Sequence, residues 1–446
     1  MNEAEVVILG GGLAGLAAAS VLGKRALVLE KELRPGGLVR SLNFGGYWFD
    51  RVLHILYFSD ARTEERIRRL LGPVLVSNPP VAWVETSAGT TRYPIQVHLG
   101  GLEREALIRC IHDLAREHFS AHEDESDNFQ EVLRRAFGES ICELFMFPYN
   151  QKVWKQPLSD LAPAGFQWNV ARPDLKEALR GALSSYDEFS TYNARGWYPL
   201  IPRDQPVRGM EYLSAALAAN ALDLRLGHRV TAVDLDSRIV TAECGGDTKA
   251  FRYERLCSTL PLPLMMDLCR QTPESLRSVR SELTSNRVVS VAFSIEGPRP
   301  RRCGHWRYYA DTDLIFNRLV FMHEFDPDHA PATGWGLMAE ITEPSLVQST
   351  PREERIGRAR ADVLKTGVVG PDCRIVDVNV FTADPAYVLF TKASHRIADA
   401  ARAFFSRRGV ELLGRYGRWE YSSMSQVMRD GFEWAENAGP ACGAKS

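Results

Sequence analysis

Long hydrophobic runs are missing from this chain, and so is an excess of charge of either sign. No apolar stretch is long enough to span a bilayer, so no membrane helix is expected. Lys and Arg number 54 against 56 Asp and Glu, a formal net charge of −2. That leaves no basic field of the kind that binds nucleic acid. The eight cysteines (Cys110, Cys142, Cys244, Cys257, Cys269, Cys303, Cys373, Cys442) are scattered, with no C-x-x-C pair. Neither a zinc site nor a disulfide framework is indicated, and no metal is expected. Reduced thiols in a cytoplasmic protein are the expectation. Internal repeats and low-complexity tracts are absent, and because the first apolar run reads as a strand, no secretory signal is expected. The 446 residues are 45% hydrophobic and 25% charged, ordinary for a globular protein of two or three domains.

The first fifty residues carry the strongest signal. Val6-Val7-Ile8-Leu9 is a short apolar run that leads into Gly10-Gly11-Gly12-Leu13-Ala14-Gly15 and an Ala/Leu-rich helical segment. A second apolar run, Ala26-Leu27-Val28-Leu29, ends on Glu30. This spacing predicts strand, turn, helix and strand, with G-x-G-x-x-G at the turn and an acid closing the second strand. Gly10 permits the tight turn, Gly12 lets a pyrophosphate approach the backbone, and Gly15 lets helix and strand pack closely. The helix N-terminus offers free N–H groups to phosphates, and Glu30 can accept from ribose hydroxyls. A bound dinucleotide is expected here.

Further along, Pro35-Gly36-Gly37-Leu38-Val39-Arg40-Ser41 suggests a second close approach to the cofactor. Residues 103–183 are rich in helical patterning, and the stretch 122–127 is acidic and expected to be a solvated loop. The segment 222–253 alternates apolar and polar residues as an antiparallel ribbon does, and it feeds a returning strand ending near Pro261. Residues 287–380 alternate again and suggest a second sheet. The expected layout is 1–90, cofactor domain, first part; 91–190, a mostly helical substrate-side insertion; 191–285, the returning cofactor-domain segment with its ribbon. It continues with 286–390, the second sheet; 391–437, the closing segment; and 438–446, a tail. The fold class is α/β (α+β): a discontinuous Rossmann-like domain with a helical insertion and a second mixed or antiparallel sheet.

At Pro35-Gly36-Gly37-Leu38 and Phe49-Asp50 the chain resembles the FAD-dependent amine oxidases, protoporphyrinogen oxidases and UDP-galactopyranose mutases. Arg92-Tyr93-Pro94-Ile95-Gln96 is similar to the mutase Y-P-F-Q segment. Leu144-Phe145-Met146-Phe147-Pro148-Tyr149-Asn150-Gln151-Lys152-Val153-Trp154 resembles the mutase L-F-x-x-P-Y-N-x-K-V-W motif. Val170-Ala171-Arg172-Pro173-Asp174-Leu175-Lys176, the Asn193 ahead of Trp197-Tyr198-Pro199, and a strand at Gly417-Arg418-Trp419-Glu420-Tyr421 extend the likeness to about Asn437. It is strongest toward the eukaryotic-type mutases.

The resemblance implies FAD and a pyranose–furanose mutase acting on a UDP- or dTDP-linked sugar. The reduced flavin's N5 would attack the anomeric carbon, with NAD(P)H as a candidate external reductant. It implies catalytic roles for His54 and Arg318. The substrate side would comprise Gln96, Trp154, Asn169, Arg172, Asn193, Tyr308, Arg318, Tyr387 and Tyr421. The cofactor side would comprise Gly10, Gly12, Leu13, Ala14, Gly15, Glu30, Lys31, Gly37, Leu38, Ser41, His54, Val230, Tyr421 and Met428. A nucleotide sugar is the expected partner, with no nucleic acid and no membrane; an oligomer is compatible.

Three departures stand out. The family's second diphosphate arginine is replaced by Asn169, and Arg172, three residues on, could stand in for it only if the helix turns differently. The family's glycine pair before the flavin histidine is replaced in Asp50-Arg51-Val52-Leu53-His54, and glycine permits dihedral angles that Val and Leu resist. The glycine-rich segment after the aromatic-Pro pair is replaced by 200–210. These leave two other readings open: an FAD oxidoreductase of a sugar, amine or related small molecule, and an inactive flavoprotein serving as a binding subunit.

Overall fold

In the computed structural model, which describes residues 2–120, 126, 128–163, 173–184 and 195–438, the predicted unit is β1 (Asn2–Leu9), α1 (Leu13–Leu22) and β2 (Ala26–Leu29). The last four residues of β1 and all of β2 are buried, because layers cover both faces of a parallel sheet. The sheet runs Arg229–Asp234, Ile239–Cys244, Asp247–Ser258, β1, β2, Asp223–Arg225, and Val410–Leu412 also pairs with Asp247–Ser258. Besides Val410–Leu412, Asp247–Ser258 pairs with two strands on different parts of its length. Residues 247–252 pair antiparallel with the ribbon strand Ile239–Cys244, and 251–258 pair parallel with β1. The expected ribbon and returning strand are thus one continuous element.

Helix α1 is apolar nearly all round, with eight buried residues, so it must be covered on more than one side. The closing helix Met424–Asn437 crosses it closely: a Cβ on Gly431 would lie 2.6 Å from the Ala14 carbonyl oxygen. Met428 is fully buried in the same core.

The second sheet runs Arg374–Val388, Ser285–Glu296, Gly334–Pro344, Arg318–Phe321, Trp306–Tyr309, Ala82–Thr86, Gly89–Arg92. Its last two strands come from residues 82–92, outside the expected 286–390. Strands this short, far from their partners in sequence, carry little local signal. In Ser285–Glu296, Val289, Val291, Phe293 and Ile295 join a core with Ala359 and Val363 of the helix Arg352–Lys365. The alternate residues, Ser290 among them, face the opposite side.

The region after Leu102 is helical as expected, with Arg104–Phe119, Phe129–Phe137, Phe147–Trp154 and Leu175–Leu183. The acidic stretch 122–127 lies outside the described residues except Ser126. One local expectation is corrected. Gly417–Tyr421 is not a strand: it leaves the short helix Gly414–Gly417 in a turn, with Trp419 at φ 55°. A Cβ on Gly417 would lie 2.8 Å from the Ser258 carbonyl oxygen, so the turn rests on the end of the central strand, where a ladder partner has no room. Among the described residues no helix is long and apolar enough to cross a membrane.

Candidate functional site

The glycine turn has the geometry of a phosphate cradle. Gly10 sits at φ 103° and donates to the Leu29 carbonyl. A Cβ on Gly15 would fall 2.1 Å from the Gly10 carbonyl oxygen, whereas one on Gly12 would meet nothing within 4 Å. The turn is therefore closed on the Gly15 side and open at Gly12, at the start of α1, whose first turn carries no acid. Leu13 and Ala14 follow, both buried. Gly37, at φ 58°, lies against Gly12. The Glu30 carboxylate is buried and accepts from Gly11 N–H at 2.7 Å and Glu32 N–H at 2.9 Å. Those bonds aim it at the turn and leave lone pairs for ribose hydroxyls. The His228 N–H bonds to the Glu30 carbonyl, which brings Val230 to the same edge. These residues fit a dinucleotide. Lys31 is exposed, Leu38 packs against the small cluster of Val288, Ala383 and Ala386, and Ser41 is enclosed. Ser41 is buried, its hydroxyl donating to Asp50 at 2.6 Å and its backbone N–H donating to the Glu211 carboxylate at 2.7 Å, so its side chain holds Asp50.

The second sheet presents a row of its own. Tyr308, Arg318, Glu340, Ser290 and Phe381 are direct cross-strand neighbours in succession, so their side chains share a face. Arg318 is ion-paired with the buried Glu340 through Nε. Burial opposes its charge, but Glu340 and the phenols of Tyr387, Tyr308 and Tyr149 outweigh it and hold its pKa well above the ordinary value. Tyr308 packs 5.2 Å from both Tyr93 and Tyr149, ring to ring. Burial raises the pKa of Tyr149, Tyr308 and Tyr387, so all three remain protonated donors. Trp154 packs edge-on to Tyr387 at 5.7 Å and donates to Asn150. Gln96 is buried, and its Oε1 meets no donor among the described residues.

His54 feels two cations. Burial, together with Arg415 and Arg318, lowers its pKa to about 4, and its solvent-shielded Nδ1 has no partner among the described residues. It is a neutral imidazole at physiological pH. The Arg415 guanidinium carbon stands 3.8 Å above the Tyr421 ring and 5.7 Å from that of Tyr387, and its buried Nε and Nη2 meet no acceptor among the described residues.

The structure thus gathers Trp154, Tyr308, Arg318, Tyr387, Tyr421 and His54 near one another; Asn169, Arg172 and Asn193 lie outside the described residues. The sequence reading missed Arg415, Glu340 and Tyr149 as site residues. Tyr149 was inside the quoted Pro-Tyr-Asn string. Arg415 sat between glycines just before the aromatic turn, and Glu340 was a lone acid in the otherwise apolar Trp335–Ile341. The scattered cysteines also hid a grouping: Cys303 donates to Glu324 at 3.2 Å and lies 3.6 Å from His323 Nε2.

The flavin containing amine oxidoreductase family model matches residues 13–395. The fold is similar to a reduced UDP-galactopyranose mutase (TM-score 0.88, 22% identity, 99% of this chain and 96% of that one). It is also similar to a protoporphyrinogen oxidase homologue from Exiguobacterium sp. 255-15 (0.69, 17%, 97% and 98%) and to a putrescine oxidase (0.61, 16%, 98% and 98%). A flavin is accordingly the cofactor indicated for this chain, which belongs to the flavin containing amine oxidoreductase family.

Proposed function

We propose that this protein is a flavin-dependent mutase that interconverts the pyranose and furanose forms of a nucleoside-diphosphate sugar. The observation that carries the reading is the pairing of Arg318 with Arg415. Two guanidiniums lie in one buried site, both acting on His54 and Tyr387, among phenols that stay protonated. Such donors suit a diphosphate, and they repel the cationic amine that an amine oxidase takes. The likeness to the mutase structure supports the same reading. The flavin, when reduced, supplies the nucleophile for the anomeric carbon. Arg318 and Arg415 hold the diphosphate before and after the glycosidic bond breaks, and they stabilise the charge that collects on it. The phenols of Tyr308, Tyr149 and Tyr387 donate to its oxygens. His54, neutral, offers a hydrogen bond without adding charge. The reductant is proposed to be NAD(P)H, and the setting the cytoplasm.

The test is anaerobic reduction followed by incubation with a panel of UDP- and dTDP-sugars, with chromatographic separation of pyranose from furanose. Conversion by the reduced protein alone is expected. If no nucleotide sugar is converted or perturbs the flavin spectrum, the reading fails. The loss of glycine at Val52-Leu53 favours a second reading, oxidation of a sugar, amine or related small molecule. Substrate-dependent bleaching of the oxidised flavin would select it.

A further inference from the structure

We propose that Glu340 is a positioning residue that joins the substrate-side cation to the flavin-side loop, so that an anion drawn to Arg318 is felt at the backbone leading into His54. The inference rests on the nucleotide-sugar reading for the identity of that anion, and on geometry alone for the link itself.

Glu340 has one buried carboxylate and two partners. Oε2 accepts from Arg318 Nε, and Oε1 accepts from the Leu53 N–H at 2.9 Å. The loop is held at two further points by neighbouring strands. Arg51 donates to the Thr382 carbonyl at 2.7 Å, and Ser290 Oγ donates to the Arg51 carbonyl at 3.4 Å. Three adjacent strands of the second sheet therefore grip residues 51–53, and of these three anchors Glu340 alone also grips Arg318. The side chain reaches both because Glu340 stands directly opposite Arg318 on one side and Ser290 on the other.

The physics of the link follows from charge balance. A buried carboxylate needs compensation. Here it comes from one guanidinium and one backbone N–H. Glu340 takes only the Nε–H of Arg318, so the remaining donors of that fork lie on its two Nη atoms. A diphosphate at those atoms shares the guanidinium's charge and leaves Glu340 more dependent on Leu53. The bond to Leu53 strengthens, and His54, the next residue, is fixed more tightly. In place of glycines that yield, this loop has an anchor that responds to the substrate.

The test uses the flavin-loaded protein with UDP as the probe. Glu340→Gln keeps the side chain's size but carries no charge and can accept well from only one partner. Amide exchange at Leu53, read by mass spectrometry without nucleotide, is expected to be about tenfold faster in E340Q. UDP is expected to slow that exchange in the wild type and not in E340Q. It should still bind E340Q by calorimetry, while its perturbation of the flavin spectrum shrinks or vanishes. Glu340→Asp, charged but one methylene shorter, keeps Arg318 and loses Leu53; it serves should E340Q not fold, with fast exchange and retained UDP affinity expected. Wild-type exchange at Leu53 in either variant overturns the proposal, as does a full spectral response to UDP in E340Q. Absence of UDP binding to the wild type overturns the nucleotide-sugar reading instead, and the link is then decided by the exchange rates without nucleotide.

Discussion

The guanidinium of Arg415 stacks on Tyr421 at 3.8 Å, yet its buried Nε and Nη2 meet no acceptor among the described residues. Stacking on a phenol offsets part of a buried cation's cost, and unsatisfied donors keep the rest, about 1–3 kcal/mol each. A diphosphate would satisfy them.

Arg415→Ala should therefore weaken UDP binding about 10–100-fold while leaving the melting temperature unchanged or raised. Arg415→Lys keeps the charge without the planar fork and should recover only part of the affinity. Calorimetry and thermal melts separate the two quantities. A large loss of stability in R415A with UDP affinity intact would make Arg415 a structural cation.

The glycine turn yields a sharper contrast. A Cβ at Gly12 meets nothing within 4 Å of the protein, and Gly12 has an ordinary φ of −81°. A Cβ at Gly15 meets backbone at 2.1 Å. Gly12→Ala should fold with wild-type stability as apoprotein and lose flavin affinity. Gly15→Ala should lose both, with a destabilisation of about 2 kcal/mol or more. Urea titration of the apoproteins and flavin content after reconstitution are the measurements.

These two positions also show how far the sequence could be read. The β1–α1–β2 unit was legible because each residue's role is local: apolar runs for strands, glycines for the turn, an acid at the end of β2. The ribbon was legible from its alternation. Ala82–Thr86 was not recognised as part of the second sheet because its partner, Trp306–Tyr309, lies more than two hundred residues away. Arg318 and the tyrosines were found through motif likeness, whereas Glu340 had no motif. Its importance arises only when register sets it opposite Arg318, and register is a tertiary fact. The turn Gly417–Tyr421 read as a strand from its aromatics, until the close approach of Gly417 to Ser258 ruled out a ladder there.

Asp50 gives the protein a pH dependence of unusual sign. Burial raises its pKa from 3.8 to about 6, against the hydrogen bonds from Ser41, Tyr198 and Met210. Tyr198 donates to it at 2.7 Å, and a Cβ on Gly209 would come within 2.5 Å of its Oδ1. The folded state binds a proton more tightly than the unfolded chain, so Asp50 favours folding most below 3.8, and that contribution is lost as pH rises through 6. At pH 7 the ionised group costs about 3 kcal/mol relative to its protonated form. Asp50→Asn removes the titration. As pH falls from 7 toward 4, the wild type should gain stability relative to D50N, by denaturant titration at each pH. A gap that moves the other way would mean that the hydrogen bonds outweigh burial.

The loop 51–54 allows the missing glycines to be restored. Val52 packs with Val288, Ala383 and Ala386, and Leu53 donates to Glu340. Replacing both by glycine removes the apolar contact and adds backbone freedom to the unfolded chain, about 0.5–1 kcal/mol for each glycine and about 1–2 kcal/mol for the lost packing. The double variant should therefore be less stable by about 2–4 kcal/mol in urea titration. Its UDP affinity should hold, because Arg318 and Arg415 are untouched. The Leu53 N–H survives in the variant, so a faster exchange there would come from the loop's freedom and not from a lost donor. If stability is unchanged, the strands of the second sheet hold this loop by hydrogen bonds alone, and Val52 is a passive substitute for glycine. If stability falls while UDP affinity holds, the side chains at 52 and 53 are what fix the backbone that carries His54.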